Sequence, residues 1–463
     1  MNKKCDILYI HSTRNPKMLE KPCFAIMPMG IIGIINSLRK KGVDVLGINI
    51  AAEQHLDPDY DIAEELKNID YKILMTDLHW YVHSYGSMYI VEKSKAAHPE
   101  VPTIIGGYTS TIYPLEIMEN FSGVDYVVTG DSDLPMEMLV DYLLEKNDVK
   151  LEDIPNIVYR KDSGIVTSEK TWAETTLDNI DFIHTDFFEH PDVVRHLTVN
   201  GVTRKMSNLW LCIARGCKFN CGYCCGASVN MKTLFRRCNI LKRSPEKVAE
   251  DFCELTDMGF MQVSPSHDFE MFGKDYYHSV FSKIRETGRK PGMYLECFQL
   301  PSKDYIDEME ATFDKSQLTL VISPISGNDK LRKENGKIFS NEELYDIVAY
   351  IKSKGINVIL YYTLNPVGET KEQFADTCFQ MQLMRMKYRF NRSNLLYQSI
   401  VIDPLAVMRG FDKIKDVKYN TFMDYYEFCQ IPGDPRYTDT GFDDGAEVTY
   451  EERTNAYNEI FPK

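Results

Sequence analysis

No apolar run in this chain reaches the roughly 18–20 residues that would span a bilayer. The opening MNKKCDILYIHST has no signal-peptide core. The expectation is therefore a soluble, cytoplasmic protein with no transmembrane segment. Basic charge is also scarce: 53 Lys and Arg stand against 68 Asp and Glu, a formal net charge of −15 and a pI of about 5.2. A dedicated nucleic-acid binder carries a basic footprint, so nucleic acid is excluded as the expected partner, and an anionic membrane surface is disfavoured. Repeats of solenoid period and low-complexity tracts are absent. With 44% hydrophobic and 26% charged residues the composition is that of a globular chain, which excludes wholesale disorder and a fibre. At 463 residues the chain holds roughly three domains of about 150 residues, or one such domain and a barrel-sized one.

Cysteine is not abundant, with twelve in the chain, but it is unevenly placed. Cys212, Cys217, Cys221, Cys224, Cys225 and Cys238 fall within 27 residues. In a chain without an export signal such a cluster points to metal rather than to disulfides.

Periodicity supplies the frame. From residue 5 to about 147, the short apolar runs CDILYI (5–10), VDVLGIN (43–49), YKILMTDL (71–78), TIIGG (103–107) and YVVTG (126–130) alternate with helix-period segments. Five βα units in series predict a doubly wound, Rossmann-like α/β sheet over 1–147, with ligands beyond the carboxyl ends of its strands. A scaffold that binds nothing has the same periodicity. Residues 148–206 read as a connector: a small hairpin around Asp162-Ser163-Gly164, then an ordered strap with aromatic anchors. After residue 207 come six further apolar runs: 209–214, 260–265, 293–298, 318–323, 357–364 and 395–402. They are separated by helical segments and predict a (βα)6 partial TIM barrel over 207–405. Residues 406–463, rich in Tyr, Phe, Pro and Gly, read as an irregular C-terminal cap.

The string Cys217-Lys-Phe-Asn-Cys221-Gly-Tyr223-Cys224 sits just after the first barrel strand. Three thiolates on one short loop can converge on a soft metal centre and leave a coordination position open. Structural zinc usually takes four protein ligands, so a zinc site here needs Cys212, Cys225 or Cys238 as well. Arg236, Arg237, Lys242 and Arg243 follow as a basic group, either meeting an anion or solvated at the surface.

This CxxxCxxC at the top of strand one of a partial barrel resembles the radical S-adenosylmethionine (SAM) superfamily. Gly355–Thr370, ending in Pro-Val-Gly-Glu369-Thr370, is similar to the fifth-strand segment of many members. Ile322 to Asn328, followed by an Asn-Gly-Lys stretch, resembles the fourth-strand segment near the SAM ribose, and Ile402-Asp403-Pro404 the sixth-strand exit. The resemblance implies a [4Fe–4S] cluster on Cys217, Cys221 and Cys224, whose free iron chelates SAM. One electron then cleaves SAM to a 5′-deoxyadenosyl radical that abstracts hydrogen from an unactivated carbon. It also implies SAM contacts from Tyr223, Ser264, Glu296, Ser323 and Asn365. The chain departs from the family at strand two, where QVSPSHD replaces the usual glycine-rich turn.

A doubly wound domain ahead of such a barrel resembles the cobalamin-binding branch. The matching pieces are Met29-Gly30 through Gly33, Gly106-Gly107-Tyr-Thr109, and Thr129-Gly130. The resemblance implies cobalamin contacts from Met29, Gly30, Gly106, Gly107, Thr109, Thr129 and Gly130, with His79 lining the cofactor's lower face or a substrate pocket. The Asp-x-His-x-x-Gly signature for a lower cobalt ligand is missing. This leaves a cobalamin without a protein histidine, or a domain holding none. The implied activity is methyl transfer to an unactivated carbon or phosphinate centre of a small-molecule, lipid or peptide substrate. An external one-electron donor such as flavodoxin or ferredoxin would feed the cluster. Radical rearrangement, cyclisation or coupling without methyl transfer is the alternative, and a non-catalytic iron–sulfur or zinc redox sensor is another.

Overall fold

The apolar run Lys3–His11 forms β1, which is almost wholly buried from Ile7 onward, as a strand covered on both faces must be. The computed structural model describes residues 3–18, 27–161, 164–196, 207–399, 403–410, 419–431 and 446–462. The chain divides into two compact units. One comprises Met1–Lys205, Met231–Asn239 and Tyr419–Asp434, the other Met206–Asn230, Ile240–Lys418 and Pro435–Lys463.

In the first unit β1 is joined by β2 (Val45–Asn49), β3 (Ile69–Asp77), β4 (Thr103–Gly106), β5 (Tyr126–Val128), β6 (Ile157–Lys161) and β7 (Gly164–Thr167). The sheet order is β2-β1-β3-β4-β5-β6-β7. The first five strands are parallel and the last two antiparallel. Consecutive strands go to opposite sides of β1, so the switch point lies between β1 and β3, and it is at the carboxyl ends of such strands that doubly wound sheets bind ligands. His11 ends β1 and Asp77 ends β3.

The segment expected as a connector contributes to this unit. Its hairpin supplies β6 and β7, although Asp162 and Ser163 lie outside the described residues. The strap packs by its aromatics: Phe187 and Phe188 sit edge-on to Tyr9 at 6.5 and 6.0 Å.

The second unit has β8 (Asn208–Leu211), a two-stranded antiparallel pair β9 (Ala214–Arg215) and β10 (Leu241–Lys242), then β11 (Gln262–Pro265), β12 (Met293–Cys297), β13 (Leu318–Ile325), β14 (Asn357–Thr363) and β15 (Leu395–Gln398). Six strands make one parallel sheet in chain order, β8-β11-β12-β13-β14-β15. That order is the one a partial (βα) barrel requires, and it gathers the strand exits at one face. Helices start where capping chemistry permits: Ser340 with Glu343 and Thr370 with Gln373 form capping boxes at Asn341–Ser353 and Lys371–Tyr388. Of the run expected at 395–402, residues 400–402 lie outside the described residues. Within the tail expected as an irregular cap, Phe422–Phe428 and Tyr450–Ile460 are helices, each opened by a capping box (Thr421 with Asp424, Thr449 with Glu452). Among the described residues no helix is long and apolar enough to cross a membrane.

Candidate functional site

The cysteine loop follows β9 at the carboxyl face of the six-stranded sheet. Cys217, Cys221 and Cys224 are each partly exposed, whereas Cys212 and Cys225 are buried. A short segment beyond β15 holds the loop. Asp403 N donates to Tyr223 O (3.2 Å) and Met408 N to Gly222 O (2.7 Å), while Asp403 Oδ2 accepts from Cys225 N (2.9 Å). Burial pushes the Cys224 thiol up to about 12, with Asp403 and Cys221 adding to it, and burial also raises Cys217. A soft metal centre would ionise them.

The donor set fits a cluster better than a single ion. One tetrahedral zinc, with sulfur at about 2.3 Å, gathers its ligands into a tight group. Among the described residues only His11, Asp77 and His83 bring three potential ligand atoms within 4.8 Å of one another. The cysteine trio is spread more widely. The Tyr223 hydroxyl, next to these cysteines, is buried with no hydrogen-bond partner among the described residues, an orphaned group that a ligand would satisfy.

The expected SAM residues fall into two sets. Ser323, on β13, is partly exposed. Glu296, on β12, keeps solvent-accessible surface. Burial raises its carboxyl, against the opposing charge of Lys337. The other set is engaged within the fold. Ser264 is fully buried and its hydroxyl is exchanged with the Asn208 side chain across β8 and β11 (2.8 and 3.0 Å). Asn365 is buried and bonded to Thr363. At the strand-two exit, Ser266 and His267 reach the cysteine loop instead. His267 Nε2 donates to Gly216 O at 2.9 Å, which fixes the tautomer and leaves Nδ1 to accept from Ser266 Oγ at 2.8 Å. Burial pulls His267 down to about 4, so it is neutral in this role.

Two residues of the basic group are internal: Arg237 pairs with Asp131 and Arg243 with Asp251, all four buried or nearly so. Lys242 lies over the Tyr276 ring at 4.7 Å. Arg237 and Arg243 are thus neither solvated at the surface nor open to an external anion, the two alternatives the sequence left for this group.

In the first unit the loops after β3 and β4 interlock. Gly107 has φ +123, and a Cβ there would come within 2.7 Å of His79 N and of the Leu78 carbonyl, so only glycine permits the approach. Thr109 Oγ1 donates to His79 O at 3.0 Å. The His79 ring meets Tyr108 edge-on at 5.0 Å, and burial drops its pKa to about 4. Thr129 Oγ1 donates to Asn156 O, and Gly130 N to Thr111 Oγ1. Met29 and Gly30 form the first turn of Met29–Lys40, with open space where a Gly30 side chain would stand. Gly106, the last residue of β4, is partly exposed.

At the switch point the sequence marks His11 only as the one histidine in the loop after the first strand, and Asp77 only as the start of the segment that carries His79 and His83. Asp77 Oδ1 accepts from Tyr9 OH (2.7 Å) and His11 Nδ1 (2.8 Å). Burial would raise Asp77, but His11 and His83 overcome it and hold the carboxylate at about 2. His11 Nε2 and Asp77 Oδ2 are buried without a hydrogen-bond partner among the described residues. The sequence signal for this was His11 at the end of an apolar strand, a polar group where the periodicity asks for a core residue.

Residues 19–140 match the B12 binding domain. The chain carries a B12-binding domain. It is 20% identical over 292 residues to the hopanoid C-3 methylase of Methylococcus capsulatus, a match covering 61% of this chain and 50% of that protein, so the chain spans half the length of this relative. Its structure is similar to that of the radical S-adenosylmethionine methyltransferase TsrM from Kitasatospora setae, solved with tryptophan and a SAM analogue. The TM-score is 0.60 at 14% identity, covering 87% of this chain and 74% of TsrM. It is also similar to the cobalamin-dependent S-adenosylmethionine radical enzyme OxsB, solved with aqua-cobalamin and SAM. Here the TM-score is 0.56 at 11% identity, covering 98% of this chain and 61% of OxsB. The fold is that of these cobalamin-dependent radical SAM enzymes.

Proposed function

We propose that this chain is a cobalamin-dependent radical SAM methyltransferase that acts on an unactivated carbon or phosphinate centre of a small-molecule, lipid or peptide substrate. It would work in the cytoplasm, fed by an external one-electron donor of the flavodoxin or ferredoxin kind. In this reading the doubly wound unit, into which the hairpin and strap of 148–205 pack, holds cobalamin, and the unit with the six-stranded sheet is the barrel. The observation that carries the reading is the trio of partly exposed cysteines on one loop at the strand exits, with the Tyr223 hydroxyl buried and without a hydrogen-bond partner among the described residues.

Cys217, Cys221 and Cys224 would hold the cluster, Tyr223, Glu296 and Ser323 the SAM. Gly30, His79, Gly106 and Gly107 line the cobalamin side, with Thr109, Thr129 and Gly130 fixing the loops behind them. When bound, these groups supply reductive cleavage of SAM and carriage of the methyl group. The residues of the chain place, bind and exclude water. His267 fixes the backbone ahead of Cys217, and Asp403 fixes the backbone of Cys225. Glu296 offers a carboxylate to a cationic amine, and the buried strand exits keep a radical from solvent.

The test is anaerobic purification with cobalamin supplied, followed by iron, sulfide and cobalt analysis and by counting SAM products with reductant. S-adenosylhomocysteine together with 5′-deoxyadenosine is expected. 5′-Deoxyadenosine alone defeats the methyl-transfer part, and zinc without iron or SAM cleavage defeats the whole.

A further inference from the structure

At the switch point, Tyr9 OH and His11 Nδ1 both donate to the same carboxylate oxygen, Asp77 Oδ1, at 2.7 and 2.8 Å. The other carboxylate oxygen, Oδ2, and the other ring nitrogen of His11, Nε2, are buried without a hydrogen-bond partner among the described residues. Asp77 is 4% exposed, and His11 and His83 have no exposed surface at all. With Nδ1 donating, Nε2 of a neutral imidazole presents a lone pair, as Oδ2 does. Two buried lone pairs in one cluster call for an electropositive partner. His83 adds a third ligand. Its ring stands edge-on to that of His11, with centroids 5.1 Å apart, and His11, Asp77 and His83 each bring one ligand atom within 4.8 Å of the others.

Three elements hold this cluster in place. Thr76 Oγ1 donates to Ile10 O at 2.9 Å and ties the ends of β1 and β3. Ser87 Oγ, in the helix Ser84–Ala97, donates to Asp77 O at 2.9 Å. Gly86 lets the first turn of that helix rest on the backbone just after β1, since a Cβ there would stand 1.9 Å from Thr13 O. His83, immediately before the helix, is thereby delivered to His11. Two imidazoles and a carboxylate suit a borderline d-block cation such as zinc, whereas magnesium and calcium prefer oxygen alone. A ligating imidazole is typically fixed by giving its second N–H to a carboxylate, as His11 does to Asp77. Ligands about 2 Å from an ion stand at most about 4 Å apart, so a shift of about 1 Å closes the trio on one. A corrin ring needs an open face above its axial ligand. Imidazoles with no exposed surface offer none, but they can enclose a bare ion.

The geometry points to a divalent transition-metal site, for zinc foremost, held by His11, Asp77 and His83 at the carboxyl ends of β1 and β3. Its ion would pin the two strand ends to the helix Ser84–Ala97. The site is separate from the cysteine loop, and it stands or falls independently of the methyltransferase reading.

The experiment uses the full-length chain with Cys217, Cys221 and Cys224 replaced by Ala, so that the cysteine loop does not compete for metal. It is purified without cobalamin and stripped with a chelator. Zn²⁺ is titrated in, and zinc is counted after gel filtration. One zinc per chain is expected, with a melting temperature raised by the ion. On this background His83→Gln and Asp77→Asn, each close in size to the residue it replaces, should weaken zinc binding at least about tenfold and lose that rise. A background chain that retains no zinc, or both variants holding zinc as tightly as it does, overturns the assignment. Should one of these chains fail to fold, zinc counted in the chain with its native cysteines and in its His11→Gln variant gives the same comparison. One equivalent fewer in the variant supports the site, and equal content overturns it. Saturating cobalamin is then added to the zinc-loaded chain. Zinc that stays bound supports a separate site, and zinc released as cobalamin binds overturns it, because the three residues then belong to the corrin's own site.

Discussion

Arg453 Nε donates to Glu369 Oε2 at 3.0 Å, and both side chains are almost completely buried, at 3% and 1% exposure. Glu369 lies in the Pro-x-Gly-Glu-Thr turn after β14, and Arg453 on the helix Tyr450–Ile460. Arg453 Nη1 also donates to Leu364 O at 2.7 Å. This turn is thereby tied to the C-terminal helix by a desolvated ion pair. Removing one partner leaves the other charge buried and unpaired, which typically costs about 3–5 kcal/mol. Arg453→Met is expected to lower stability by that order in denaturant unfolding. The double variant Arg453→Met with Glu369→Gln should recover a measurable part of it. A single variant that unfolds like the wild type refutes the tether.

The thiols differ in what they hold. Ala at Cys217, Cys221 or Cys224 should each abolish iron retention and 5′-deoxyadenosine release. Ser at Cys225 or Cys238 should leave iron content near wild type, since Cys225 is held by its backbone to Asp403 and Asn230 and Cys238 is exposed. Loss of metal from Cys225→Ser or Cys238→Ser would point to a four-ligand site.

Gly107→Ala puts a Cβ 2.7 Å from the backbone of Leu78 and His79, at a φ of +123 that L residues rarely adopt. The cost is expected at about 1–3 kcal/mol, read as a lower melting temperature of the apoprotein. Cobalamin retention after gel filtration should fall with it, because the loops after β3 and β4 must part. Unchanged melting and unchanged cobalt content would contradict the interlocked loops.

His79 titrates near 4 in the folded chain, against about 6.5 when unfolded, because burial disfavours its charged form. As pH falls from 6.5 toward 4 the unfolded chain takes up a proton that the folded chain refuses. The stability tied to His79 is thus complete above 6.5 and is lost through that window. Melting temperatures of His79→Gln between pH 7 and pH 4.5 should decline less steeply than those of the wild type. Parallel declines would show that His79 carries no such shift.

Local order was legible where the pattern repeats within one element. The continuous apolar runs marked β1, β3 and β13 because a strand covered on both faces needs no polar alternation. Their serial alternation with helices gave both sheets. Two helices of the tail were readable from Thr421-x-x-Asp424 and Thr449-x-x-Glu452, but composition drew attention away from those caps. Ser264 illustrates the limit. Its place at a strand end suggested a ligand contact, yet which face of β11 it takes is set by Asn208, 56 residues away. Arg237 and Arg243 looked like a surface patch for the same reason: their carboxylate partners stand elsewhere in the chain.

By itself, the sequence determined the order of the elements, the trio of cysteines on one loop and the glycine at position 107, since spacing and backbone freedom are properties of short stretches. Only the tertiary structure decided which polar groups are satisfied and which are left waiting. Gly336 comes to Cys221, Asp403 to Cys225 and Arg453 to Glu369 across tens to hundreds of residues. Burial and charge pairing depend on what packing brings together, and no local pattern encodes that.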